Sequence, residues 1–182
     1  YPFVIILSVY GWYQLWIIAK PNIRIALLTL TCVQLLAVLF FMIQNHPYQM
    51  VYFNELPARK DQALLKNYDR DYWGLSYRQA FEHLNEVVQA EETDSIRIVV
   101  QNIPGRFNAI FAPEPLRSRL LIYQAEEVPD TEQTKMHYFI TNFRKEPKTV
   151  LDRCTQKVWS VNVQGSDLMA IYKLKGEEDC YE

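Results

Sequence analysis

Asp69 and Asp71 are the residues whose type and spacing most directly suggest chemistry. Two carboxylates two residues apart offer oxygen ligands to a divalent cation. A pair without a third ligand makes a thin cage, however, and Asp71 stands just ahead of Ser76, where a helix is expected to open. The simpler role for Asp71 is to hydrogen-bond that first turn, with its charge at the positive end of the helix dipole. Tyr72 and Trp73 follow at once. Their faces can stack on a sugar ring, or anchor a domain on its base. No Cys/His metal spacing, Gly-rich phosphate loop, Gly-x-Ser-x-Gly elbow or His-Glu-x-x-His helix occurs. No resident metal or cofactor is therefore assigned to this stretch of chain.

The elements that must position these residues begin in a very different composition. Ile25 to Ile43 is an uncharged apolar run. As a helix it spans roughly 28 Å, close to the hydrocarbon core of a bilayer. A buried helix of a soluble protein would carry a polar stripe, and Thr29, Thr31 and Gln34 are too few to make one. Residues Tyr1 to Ile18 form another apolar segment, with Trp12, Tyr13 and Trp16 crowding its second half as at a membrane interface. Lys20 and Arg24 lie in the turn between the two runs and are the only charges before His46. A short basic loop stays on the cytoplasmic side, so everything after Asn45 is expected outside the cytoplasm. Cys32, inside the second run, reads as a small apolar side chain.

The chain starts Tyr1-Pro2 with no basic leader and no cleavage site, so it is expected to be the C-terminal piece of a longer protein. Its 182 residues carry a formal net charge of -2. Beyond Asn45 that becomes 17 of the 19 basic residues against 21 acidic ones, a net of -4, with no basic patch to suit nucleic acid.

After the membrane runs, Pro47 stops helix continuation, and Tyr48, Tyr52 and Phe53 suit an outer interface. Ser76 to Gln89 reads as a helix with Ser76 as N-cap and Ala80, Phe81, Leu84, Val87 and Val88 on one face. Ile96 to Val100 is a β-branched strand ended by Asn102, Pro104 and Gly105. Phe107 to Arg117, broken by Pro113 and Pro115, reads as a short helix and a turn. Leu120 to Tyr123 and His137 to Thr141 read as strands. Val158 to Val163 and Leu168 to Leu174 alternate as a hairpin joined through Gln164-Gly165-Ser166-Asp167. The fold class is thus two transmembrane α-helices followed by a small α+β, mixed-sheet extracytoplasmic domain. Residues 1–45 hold the helices with a cytoplasmic turn at 19–24, residues 46–75 an interfacial linker, and residues 76–182 the α+β domain.

His46-Pro47-Tyr48, with Tyr52-Phe53-Asn54 beyond it, and then Asp71-Tyr72-Trp73-Gly74-Leu75-Ser76, resemble the C-terminal region of bacterial polytopic glycosyltransferases. These are the GT-C membrane enzymes similar to the protein mannosyltransferases and the lipid A aminoarabinose transferase. His137 to Arg144, which includes Thr141-Asn142, and the closing Ala170 to Leu174 also look like that region. The resemblance implies transfer of a sugar from a polyprenyl-phosphate donor to an acceptor on the outer face of the inner membrane, in the cell envelope. It also implies that the catalytic base lies in an early loop outside this chain, so this region is accessory and not itself catalytic.

Such a transfer needs a base for the acceptor and cationic groups to steady the departing phosphate. The candidate substrate contacts are His46, Tyr48, Asn54, Arg70, Asp71, Tyr72 and Trp73, with hydrogen bonds that tie down the interface as the plainer role for His46 and Asn54. The implied partners are the bilayer, the preceding membrane helices of the same protein and a polyprenyl-phosphate sugar. Cys154 and Cys180 fall where the compartment permits a disulfide. The rival reading is a membrane-anchored extracytoplasmic binding or scaffold module.

Overall fold

A computed structural model of the chain describes residues 2–51, 69–89, 93–128, 135–144 and 155–175. The chain divides into two units, Tyr1–Gln49 and Met50–Glu182.

The first unit contains two apolar helices, α1 (Pro2–Ile18) and α2 (Pro21–Gln44). Proline suits the first turn of α2, where its missing N–H would find no partner anyway. Asn45 closes α2, its backbone N–H and its Nδ2 both donating to Phe41 O, at 2.9 and 3.0 Å. The hydroxyls of Ser8, Thr29 and Thr31 each donate to the carbonyl four residues back. Their polarity is thereby met inside the helix, which leaves the outer surface apolar. Arg24 Nη2 donates to Ile17 O at 3.2 Å and its guanidinium stands 5.6 Å from the Trp16 ring centre. That joins the first turn of α2 to the last turn of α1.

At 24 residues, α2 is long and apolar enough to cross a membrane; α1 is also apolar but has 17. Neither helix buries a side chain.

The second unit is a five-stranded mixed sheet with helices packed on it. Its strands are β1 (Ile96–Val100), β2 (Leu120–Gln124), β3 (Tyr138–Thr141), β4 (Thr155–Val163) and β5 (Ser166–Leu174), in the order β2-β1-β3-β5-β4. β1 lies parallel to both β2 and β3, and β5 runs antiparallel to β3 and β4. β1, flanked on both sides, is a β-branched run broken by one charge: Ile96, Ile98 and Val100 fill the core on one face, Val99 packs on the other, and Arg97 is only partly buried. The hairpin turn is tighter than its sequence suggests. Gln164 and Gly165 both take positive φ, 55° and 76°, as a two-residue turn matched to strand twist requires, so Ser166 and Asp167 already belong to β5.

α3 (Ser76–Val88) presents Tyr77, Ala80, Phe81, Leu84 and Val88 to one face of the sheet. There they meet Ile96, Ile98, Val100, Tyr138, Ile140, Met169 and Ile171. Each such aliphatic or aromatic side chain contributes about 1.5–3 kcal/mol when withdrawn from water. Val87 packs at the margin of this cluster, and His83 stacks on Trp159 of β4 with ring centres 5.2 Å apart. The opposite sheet face gathers Val99, Met136 and Phe139, with Phe139 against Tyr172 across β3 and β5.

Between β1 and β2 the chain forms α4 (Ile103–Asn108), a 3₁₀ turn (Ala109–Phe111) and α5 (Leu116–Arg119). Helix therefore begins four residues earlier than the proline spacing suggests, because Pro104 in the first turn needs no N–H partner. Ser76 is not the N-cap expected of it. It is the first helical residue, and its own N–H is capped from Asp71. Residues 69–75, read from sequence as linker, belong with this second unit.

Gly105 lies where a Cβ would stand 2.7 Å from the Tyr77 ring and 2.8 Å from Val100 Cβ. Ring and strand are both fixed, so Gly105→Ala is expected to cost about 1–3 kcal/mol. The urea midpoint of the full chain in detergent, followed by near-UV circular dichroism, checks this; an unchanged midpoint would contradict the packing.

Candidate functional site

The sheet changes its direction of growth at β1. β2 was added on one side and β3 on the other, and in open sheets the crevice beyond the strand ends at such a point is where ligands are commonly held. Both strands end in polar residues, Gln101-Asn102 after β1 and Thr141-Asn142 at the end of β3. All four are buried, so each must find partners inside the protein.

They find them in one another. Thr141 Oγ1 donates to Gln101 Oε1, and Gln101 N donates to Ile140 O at 3.0 Å, which continues the ladder past the strands. Tyr77 OH donates to Asn102 Oδ1 at 3.2 Å, Asn102 Nδ2 to Asn142 Oδ1 at 2.7 Å, and Asn142 Nδ2 to the backbone O of Asp71 at 3.0 Å. One chain of hydrogen bonds thus links α3, β1, β3 and the loop of residues 69–75.

That loop is held from both ends. Asp71 is 2% exposed, and its carboxylate accepts from Leu75 N at 2.9 Å, Ser76 N at 3.1 Å and the Ser76 hydroxyl. Three donors and the positive end of α3 make this a charge-assisted cap. Arg70 reaches the opposite way. Its Nη atoms donate to Val163 O, Ser166 O and Asp167 O, gripping the β4–β5 turn. Burial pulls the Arg70 guanidinium below its ordinary pKa, and the nearby Asp167 charge partly offsets this. Gly74, at φ +69°, passes so close to α4 that a Cβ there would stand 2.9 Å from Pro104 Cβ.

On the outer side, Arg144 spreads its guanidinium over the Tyr72 ring at 4.0 Å and pairs with Asp69 at 3.5 Å. Phe143, in the left-handed region at φ 54°, turns the chain just before Arg144. For a bulky residue that backbone is an uncommon conformation, of the kind found where surroundings dictate it. Tyr72 and Trp73 meet edge to face with ring centres 5.2 Å apart, Trp73 open to the outside. Chemically the outer side offers the open Trp73 ring, which suits a sugar, and the Arg144 guanidinium, which an anionic group would share with Asp69.

Of the residues singled out in the sequence, Arg70, Asp71, Tyr72 and Trp73 come together here. Asp69 and Asp71 do not converge, since one pairs with Arg144 and the other caps α3. Among the described residues no group of three His, Cys, Asp or Glu side chains is placed to hold a metal ion. His46 and Tyr48 belong to the other unit, where Gln49 Nε2 donates to His46 Nδ1 at 2.6 Å and Tyr48 is buried. Asn54, Cys154 and Cys180 lie outside the described residues. The pattern of the sequence did not single out Tyr77 and Gln101, and it marked Asn102 only as the end of a strand. Their signal is faint, a polar pair directly after a β-branched run and a tyrosine one position inside a helix.

Burial pushes the Tyr77 phenol far above its ordinary pKa, reinforced by the Asp71 charge and partly offset by the Gln101 backbone N–H. The native state therefore keeps its proton while an unfolded chain loses it above pH 10.0, the ordinary value. Stability must then fall as pH rises beyond about 10. Tyr77→Phe is expected to lower stability at neutral pH and to flatten this alkaline loss; urea midpoints at several pH values test both. Asn142→Ala strands Asn102 Nδ2 and the Asp71 carbonyl, at a cost of about 1–3 kcal/mol. It is expected to hasten proteolysis within residues 69–75, and an unchanged cleavage rate would mean that the amide does not hold the loop.

No family model, no curated protein and no solved structure matches this chain.

Proposed function

We propose that the chain is the C-terminal part of an integral membrane glycosyltransferase that moves a sugar from a polyprenyl-phosphate donor to an acceptor outside the cytoplasm. The observation that carries the reading is the 3.0 Å hydrogen bond from Asn142 to Asp71. It joins Asp71-Tyr-Trp-Gly-Leu-Ser76 to the strand end Thr141-Asn142-Phe-Arg144, the two segments of this unit whose resemblance suggested such an enzyme. They form a single structure with Tyr72, Trp73 and Arg144 on its outer side. In this reading that side faces the acceptor, rings against sugar and guanidinium against phosphate. Deprotonation of the acceptor hydroxyl and departure of the polyprenyl phosphate belong to membrane segments outside this chain.

The location is likewise a proposal, with α1 and α2 both crossing the inner membrane and the α+β unit in the periplasm or outside the cell. Its support is the apolar surface of the two helices, which bury no side chain and would be costly to leave in water.

Alkaline carbonate is expected to leave the chain in the membrane pellet; release to the supernatant would contradict insertion. Membranes carrying the product of the whole gene are expected to transfer labelled sugar from a polyprenyl-phosphate sugar, at a rate cut by at least about tenfold in Arg144→Ala if one charge-assisted phosphate contact is lost. Membranes with residues 1–182 alone are expected to be inactive. Turnover by these residues alone, or none by the whole gene product across polyprenyl-phosphate sugars, would overturn the reading and favour a binding or scaffold module.

A further inference from the structure

The segment after β1 turns its larger apolar side chains outward. Gly105, Ala109 and Ala112 face the core, whereas Ile103, Phe107, Ile110 and Phe111 are 52%, 70%, 63% and 57% exposed. Positions i, i+4, i+7 and i+8 form one stripe on a helical segment, so this is an amphipathic face with nothing from the described chain upon it. Gly74 lies against Pro104 and Asn108, so the loop that carries Trp73, 73% exposed, and Leu75, 50% exposed, adjoins the helix that carries the stripe. Stripe and adjoining loop together make up the ridge. Single exposed apolar residues are ordinary, but a contiguous patch marks a docking surface.

Three observations name the occupant. The ridge combines tryptophan with phenylalanine, isoleucine and leucine, the mixture that settles at the boundary of headgroups and acyl chains. Charge pairs border it: Arg106 meets Glu127 at 3.1 Å and Arg117 meets Glu114 at 2.6 Å, so the edge is polar but charge-balanced, a rim that suits headgroup depth without drawing on net attraction to lipid phosphate. Finally, residues 45–68 tether the ridge to α2 and reach at most about 80 Å even when fully extended, so a spanning α2 keeps it at high effective concentration near the bilayer.

We propose that this ridge seats in the headgroup layer of the bilayer that α2 crosses. The inference rests on the membrane reading of α2. It deepens the functional reading, because Trp73 and the neighbouring Tyr72 and Arg144 then stand at the depth where the phosphate of a lipid-linked sugar lies.

The test uses the full chain carrying Cys32→Ser, Cys154→Ser and Cys180→Ser, reconstituted in phosphatidylcholine–phosphatidylglycerol vesicles. Single nitroxide labels go on Phe107→Cys in the ridge, Glu82→Cys on the exposed side of α3 and Leu36→Cys in α2. Collision rates with oxygen, which favours lipid, and with a water-soluble nickel chelate report each label's surroundings. The oxygen-to-nickel ratio is expected to be several-fold higher at Phe107→Cys than at Glu82→Cys and to approach that at Leu36→Cys. A ratio at Phe107→Cys equal to that at Glu82→Cys, with Leu36→Cys in lipid, overturns the docking and leaves the membrane reading standing. Shielding of Phe107→Cys from both reagents also overturns it, since protein and not lipid would cover the ridge. A water-exposed Leu36→Cys removes the membrane reading and the proposal with it.

Discussion

Four side chains that cannot reach water must satisfy one another where β1 and β3 end, and the α+β unit depends on how they do it. The route from Tyr77 OH through Asn102 and Asn142 to the Asp71 carbonyl fixes a helix, two parallel strands and a loop in one register. A buried amide left with an open donor or acceptor costs more than a satisfied one contributes, so such a chain is all or nothing. Its members have no mutual freedom to slide, and the loop of residues 69–75 inherits that rigidity.

Asp71 and Arg70 then divide the work of the loop between them. The carboxylate turns toward α3 and the guanidinium toward the β4–β5 turn, so adjacent opposite charges hold elements on either side. With both charges used inside the protein, what remains outside is aromatic. Tyr72 and Trp73 are displayed by a loop whose polar residues are committed to structure, and Arg144 enters the display only because the chain turns back after β3. Rigid support beneath exposed rings is the arrangement expected of a contact surface, where ordering side chains on binding is a principal cost.

Apolar surface is distributed in two distinct ways along the chain. In the α+β unit it is mostly inward, and the exposed apolar side chains among the described residues include the helical stripe at Ile103, Phe107, Ile110 and Phe111 together with Trp73 and Leu75. In α1 and α2 it is on every side, with hydroxyls folded back on their own carbonyls. Full circumference and single stripe are distinct distributions of apolar surface, and in the membrane reading proposed above they would serve spanning and interfacial contact respectively. The second follows directly after a buried strand.

By itself the sequence determined whatever depends on near neighbours. Apolar runs located α1 and α2, a β-branched run located β1, alternation located the hairpin, and the spacing of Ala80, Phe81, Leu84 and Val88 located the core face of α3. Even the capping role of Asp71 was legible, because a cap and its helix lie within a few residues. Tertiary structure alone decided the strand order, the grip of Arg70 on a turn more than ninety residues away, and the meeting of Asn142 with Asp71 across seventy-one. It also decided the outward set of Phe107. An amphipathic stripe has the same spacing whether it faces core or solvent, and only the packing of Gly105 against Tyr77 and Val100 fixes which side is turned in.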